Sequence, residues 1–151
     1  MSSQIPEPGQ AWMSIISRPS DEDFANAFTA QATMEASVLA EPLTGPSAIR
    51  RFFATTRGMY DQIAFIGETK TNRATYLEWA GQFHGKSVAG MTVLTHNERG
   101  LIEAVRLYHR PYHQVVAFAG ELTSRLSGRD CLLGRPSSLT EAMWHSTPED
   151  R

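Results

Sequence analysis

The spacing of apolar residues along the chain shifts from helical to alternating and back to helical, so helices are expected at both ends and strands between them. Trp12, Ile15 and Ile16 recur at helical spacing, which predicts a first helix running to Ser17, with Pro19 ending it. Ser20 can cap a second helix, and Asp21, Glu22 and Asp23 suit its positive end. Phe24, Ala27 and Phe28 share one face of that helix. Thr33 to Leu39 reads as a strand and Glu41 to Gly45 as a turn. Pro46 then fits a first helical turn. Ile49, Phe52, Phe53, Thr56 and Tyr60 form a largely apolar stripe on that third helix, with Arg50, Arg51 and Arg57 on a solvated face.

From Ile63 onward the pattern changes. Ile63–Thr69, Ala74–His84, Ser87–His96 and Leu101–Arg110 are each rich in β-branched or aromatic residues. Their connections are short, namely Thr71-Asn72-Arg73, Gly85-Lys86 and Asn97-Glu98-Arg99-Gly100. Such loops imply hairpins, hence an antiparallel meander. Long hairpin-linked strands bend, and Gly81 and Gly90 are natural bend or bulge points. After Pro111, the apolar face of Tyr112, Val115, Val116, Ala119, Leu122 and Leu126 predicts another helix, which Gly128 can terminate. Ser138 and Glu141 form a capping box for a last short helix carrying Leu139, Met143 and Trp144.

Composition narrows the class. A chain of 151 residues suits one domain with its own core. A net charge of -2 supplies no basic field for nucleic acid or an anionic membrane. No stretch reaches the roughly 18 apolar residues of a membrane span. Met1 to Gln10 lacks the basic start and apolar run of a signal peptide. The lone cysteine, Cys131, cannot form an internal disulfide, so a cytoplasmic location is expected and the thiol reads as a spectator. His109 and His113 are spaced like a metal pair, but Pro111 lies between them, so no metal is expected. No phosphate loop, nucleophile elbow or nucleotide fingerprint is present, and no cofactor is expected.

Two segments carry a family resemblance. Ala32-Thr33-Met34-Glu35, Glu41-Pro42, Thr44-Gly45 and Ala48-Ile49-Arg50-Arg51-Phe52-Phe53 resemble the strand–turn–helix of ketosteroid isomerases. Tyr76-Leu77-Glu78-Trp79, Gly85-Lys86, Gly90, Val93-Leu94, Gly100, Ile102 and Arg110-Pro111 resemble the hairpins of SnoaL-like proteins. The resemblance spans residues 12–115 and is to the nuclear-transport-factor-2-like superfamily. It implies an α+β fold, a cone-shaped and strongly curved antiparallel sheet packed against N-terminal helices, here with an extra C-terminal helix. Residues 1–11 would be a flexible arm, 12–127 the domain, and 128–151 an extension over the pocket mouth or against a dimer partner.

The same resemblance implies that catalytic residues of known relatives are missing. The isomerase base falls at Ala36, the oxyanion-hole tyrosine at Trp12 and the protonated aspartate near Thr92. An aspartate of the epoxide hydrolases falls at Leu107. A carboxylate must move the proton in steroid isomerisation, and Ala36 has none. The resemblance turns Trp79, Thr92 and Leu107 inward. Strand alternation then adds Leu77, Gly81, Phe83, Gly90, Leu94, His96, Val105 and His109.

A small hydrophobic molecule is therefore the expected partner, bound by Trp12, Ala36, Tyr60, Trp79, Thr92, Leu94, Val105 and Leu107. His109 is the candidate proton-transfer group for isomerase, cyclase or hydrolase-like chemistry. His96, beside a turn, is the lesser histidine, and Glu35, Glu68 and Glu78 read as exposed or interface carboxylates. The other reading is a non-catalytic scaffold whose pocket is filled by side chains. Under either, Tyr76, Glu78, Arg106 and Tyr108 form an outer sheet face suited to a homodimer.

Overall fold

The computed structural model of the protein describes residues 7–129. The expected short C-terminal helix, Cys131 and the extension beyond Arg129 lie outside them. The elements run α1 (Gln10–Ile16), α2 (Asp21–Ala27), β1 (Phe28–Ala36), β2 (Leu43–Thr44), α3 (Pro46–Thr56), β3 (Gln62–Lys70), β4 (Ala74–Phe83), β5 (Lys86–His96), β6 (Ile102–Arg110) and α4 (Tyr112–Arg129). Local chemistry sets several boundaries. The Ser20 hydroxyl accepts the Asp23 N–H at 3.1 Å and caps α2, with three acidic residues in its first turn. Gly45, at φ 96°, turns the chain into α3 and Pro46 opens that helix.

One six-stranded sheet has the order β2-β1-β6-β5-β4-β3. β3 to β6 form the expected antiparallel meander, with Trp79 opposite Gly90, Thr92 opposite Leu107 and Gly90 opposite His109. The sheet is not antiparallel throughout. β1 joins β6 in parallel, aligning Met34 with Val105 and Ala36 with Leu107, so the sheet is mixed. Hairpin loops dictate the direction of consecutive strands only, and β1 meets β6 across nearly half of the chain. Phe28 is a second correction. It begins β1 rather than ending α2, and its ring stacks on Phe24 at 5.1 Å and 6°.

The sheet is strongly curved. Gly81 and Gly90 allow the close approach that curvature requires. A Cβ at Gly81 would collide with the Gln62 carbonyl, and one at Gly90 with the Tyr108 carbonyl and the Trp79 ring. The concave face carries the core, in which Trp79, Phe24, Phe52, Phe83 and Phe118 are fully buried. Each such side chain stabilises the fold by roughly 2–3 kcal/mol. α4 closes one end of the cone. Its buried Gln114 donates from Nε2 to the carbonyls of Phe83 at 3.1 Å and Lys86 at 3.0 Å. The arginines of α3 do more than face solvent, because Arg50 pairs with Asp21 at 2.6 Å and Arg57 donates to the Ser17 carbonyl.

Candidate ligand pocket

Alternation along β4, β5 and β6 places Leu77, Trp79 and Phe83, Thr92 and Leu94, and Val105, Leu107 and His109 on the buried concave face. The two ends of that concavity differ. Towards α4 it is filled with aromatic rings. Towards the β3–β4 and β5–β6 loops it is open.

At the filled end, Tyr60 follows α3 and reaches His109 at the end of β6, with its hydroxyl 2.6 Å from Nε2. The two rings lie nearly parallel, at 7°. Trp79 and Phe118 each stand 4.9 Å from the imidazole, centroid to centroid. The His109 backbone N–H donates to the Ser37 hydroxyl at 2.9 Å, while Nδ1 is buried without a partner. Burial pushes the imidazole pKa down to about 4 and the Tyr60 phenol far above its ordinary value. Both groups are therefore neutral at physiological pH.

At the open end lies a hollow of about 520 Å³. One wall is α1 with the residue before it, through Gly9, Ala11, Trp12 and Ile15. Leu77 and Leu94 form the sheet floor, and Ala27, Leu101 and Ile102 extend the apolar surface. The rim is polar, with Glu68, Lys70, Asn72, Thr75, His96, Asn97 and Glu98. Trp12 is held edge-on to Phe53 at 5.3 Å, and its indole Nε1 is buried without a partner. Glu68 anchors the start of α1 by accepting the Gly9 N–H at 2.9 Å, and lies 3.5 Å from the Lys70 ammonium. It can do so because a bulge between Phe65 and Gly67 shifts the register and turns Glu68 to the Leu77 side. Thr75 and His96 are bonded to each other, 3.1 Å between Oγ1 and Nε2.

Of the residues expected around a ligand, Trp12 and Leu94 line this hollow, and Ala36, Tyr60, Trp79, Thr92, Val105 and Leu107 do not. His109 is not in its wall either. Thr75 was missed, although it sits two residues before Leu77 and so on the same strand face. Glu68 was obscured by the bulge. His96, the lesser histidine by sequence, is the one in the hollow wall. Among the described residues there is no cluster of three metal-ligating side chains, and no helix is long and apolar enough to cross a membrane.

No protein-family model matches the chain, and no curated protein matches it. Solved structures do. A steroid delta-isomerase from Pseudomonas aeruginosa superposes with a TM-score of 0.71 at 16% identity, covering 79% of this chain and 88% of that one. A protein of ketosteroid isomerase-like fold from Catenulispora acidiphila, in complex with trimethylamine, gives 0.57 at 19% identity, covering 78% and 95%. A SnoaL-like isomerase candidate from Agrobacterium tumefaciens gives 0.53 at 14% identity, covering 68% and 94%. The chain thus has the nuclear-transport-factor-2-like fold, shared with ketosteroid isomerase-like and SnoaL-like proteins. One cone hosts many unrelated activities, so function must be argued from the site.

Proposed function

We propose that this protein binds a small, largely apolar molecule in the hollow between α1 and the β3–β4 and β5–β6 loops. The observation that carries the reading is the hollow itself. Its volume of about 520 Å³ exceeds the lower bound of roughly 300 Å³ typical of ligand sites, and an apolar floor meets a polar rim. A neighbour of the same fold in complex with trimethylamine supports a small-molecule role. Ala36 occupies the position matched to the isomerase base, so steroid isomerisation by the relatives' route lacks its proton acceptor. Isomerase, cyclase or hydrolase-like proton transfer would fall to a histidine. His109 can serve only if the Tyr60, Trp79 and Phe118 packing opens, whereas His96 already borders the hollow. The protein would act as a homodimer paired through the outer sheet face, in the cytoplasm, where a lone thiol stays reduced.

The second reading, a non-catalytic scaffold, draws on the filled half of the cone around His109. A thermal-shift screen with steroid-like, terpenoid and aromatic polyketide compounds separates the two. Under the pocket reading some compounds raise the melting temperature of wild type but not of Leu94→Trp, whose indole occupies the floor. His109→Ala should keep the binding, and conversion by wild type but not by His109→Ala would mark it as the proton-transfer group. No stabilisation by any compound favours the scaffold.

A further inference from the structure

The hydrogen-bond polarity of the Thr75–His96 pair is determined by the backbone behind it. His96 Nδ1 lies 3.3 Å from the carbonyl oxygen of Gly100. A carbonyl can only accept, so Nδ1 carries the ring hydrogen, and in the neutral imidazole Nε2 is left with a lone pair. Thr75 Oγ1, 3.1 Å away, must then donate its single hydrogen to Nε2. The His96 backbone is clamped for this task. Its N–H donates to the Arg73 carbonyl at 2.8 Å, and its carbonyl accepts from Arg73 Nε at 3.2 Å. With its hydrogen committed, the Thr75 oxygen can only accept from a third group, and Thr75 lines the hollow.

We propose that the relay Gly100–His96–Thr75 makes the hollow selective for apolar molecules bearing a hydroxyl donor, an alcohol or a phenol, over the matching ether or ketone. This rests on the hollow being the ligand site. Within the rim, Lys70 lies 3.5 Å from a Glu68 oxygen, and the other Glu68 oxygen accepts the Gly9 N–H. Those two charges are engaged with each other, and the Asn97 side-chain oxygen is taken up by the N–H groups of Arg99 and Leu101. Of the polar lining residues, Thr75 is the one two positions from Leu77 on the same strand face, so it is placed to read the ligand's polar end beside the floor of Leu77 and Leu94.

Titration calorimetry on the full chain, at about pH 8 where imidazoles are ordinarily neutral, tests this with 1-naphthol, 1-methoxynaphthalene and 1-tetralone. In wild type the naphthol should bind about five- to tenfold more tightly than either partner, the effect of one hydrogen bond. Thr75→Val, of nearly the same shape, should bring the three affinities together. His96→Leu frees the threonine hydroxyl to donate, so the ketone should gain on the naphthol. Circular dichroism verifies that both variants are folded. Equal affinities in wild type, or a preference that survives Thr75→Val, would overturn the hydroxyl selectivity while leaving the hollow as a binding site. No binding by any of the three overturns the ligand-site reading and this inference with it.

Discussion

His109 shows how position within a fold redefines a residue. A histidine near the end of a strand suggests an accessible acid or base, yet here it is 7% exposed among Tyr60, Trp79 and Phe118. Its pKa falls from 6.5 to about 4 because charging it would place a cation in a buried aromatic site. The unfolded chain takes up this proton as the pH drops below 6.5, and the folded protein does so only near 4. Stability from this group is therefore complete above the higher value, declines through the interval and levels off below the lower one. The difference corresponds to about 3 kcal/mol. Denaturant titrations across that interval should show the decline in wild type, and His109→Leu should lack this group's contribution to it, whatever its absolute stability. An unchanged slope in the variant would show that the imidazole titrates normally.

At the scale of the element, the four meander strands were legible almost residue for residue, because β-branched alternation and tight loops are local signals. Ser20 capping α2 was equally legible. The first strand was placed five residues late, since Phe28 continues the apolar spacing of α2 while already extended. The bulge beside Ile66 left no local mark, so the inward turn of Glu68 could not be read. Gly90 was expected to permit bending, and the structure supplies the reason, a Trp79 ring and a Tyr108 carbonyl where a side chain would lie. Gly90→Ala should destabilise by about 3 kcal/mol or more, through overpacking against groups that cannot move aside. Chemical denaturation measures this directly, and a loss below about 1 kcal/mol would mean that the strand relaxes easily.

At the scale of the whole molecule, the outer face of the sheet presents exposed tyrosines among the described residues. Tyr76 and Tyr108 are 37% and 46% exposed there, and Val93 lies between their strands with Arg106 opposite it. Tyrosine and arginine are enriched at interface centres. If two copies pair through this face, Tyr108→Asp should convert the dimer to monomer with no loss of secondary structure, as read by sedimentation velocity. A wild type that sediments as a monomer at micromolar concentration would remove the homodimer from the proposal.

The amino-acid sequence alone determined the four helices of the described residues, the meander and which side of each meander strand is apolar, because these follow from periodicity and turn chemistry within a few residues. The parallel union of β1 with β6, the aromatic closure around His109 and the open space beside Trp12, Thr75 and His96 were decided only by tertiary structure. Each depends on which distant side chains meet and how completely they fill the volume between them. Alternation along a strand tells which residues face inward, but not where the inside is full and where it is hollow.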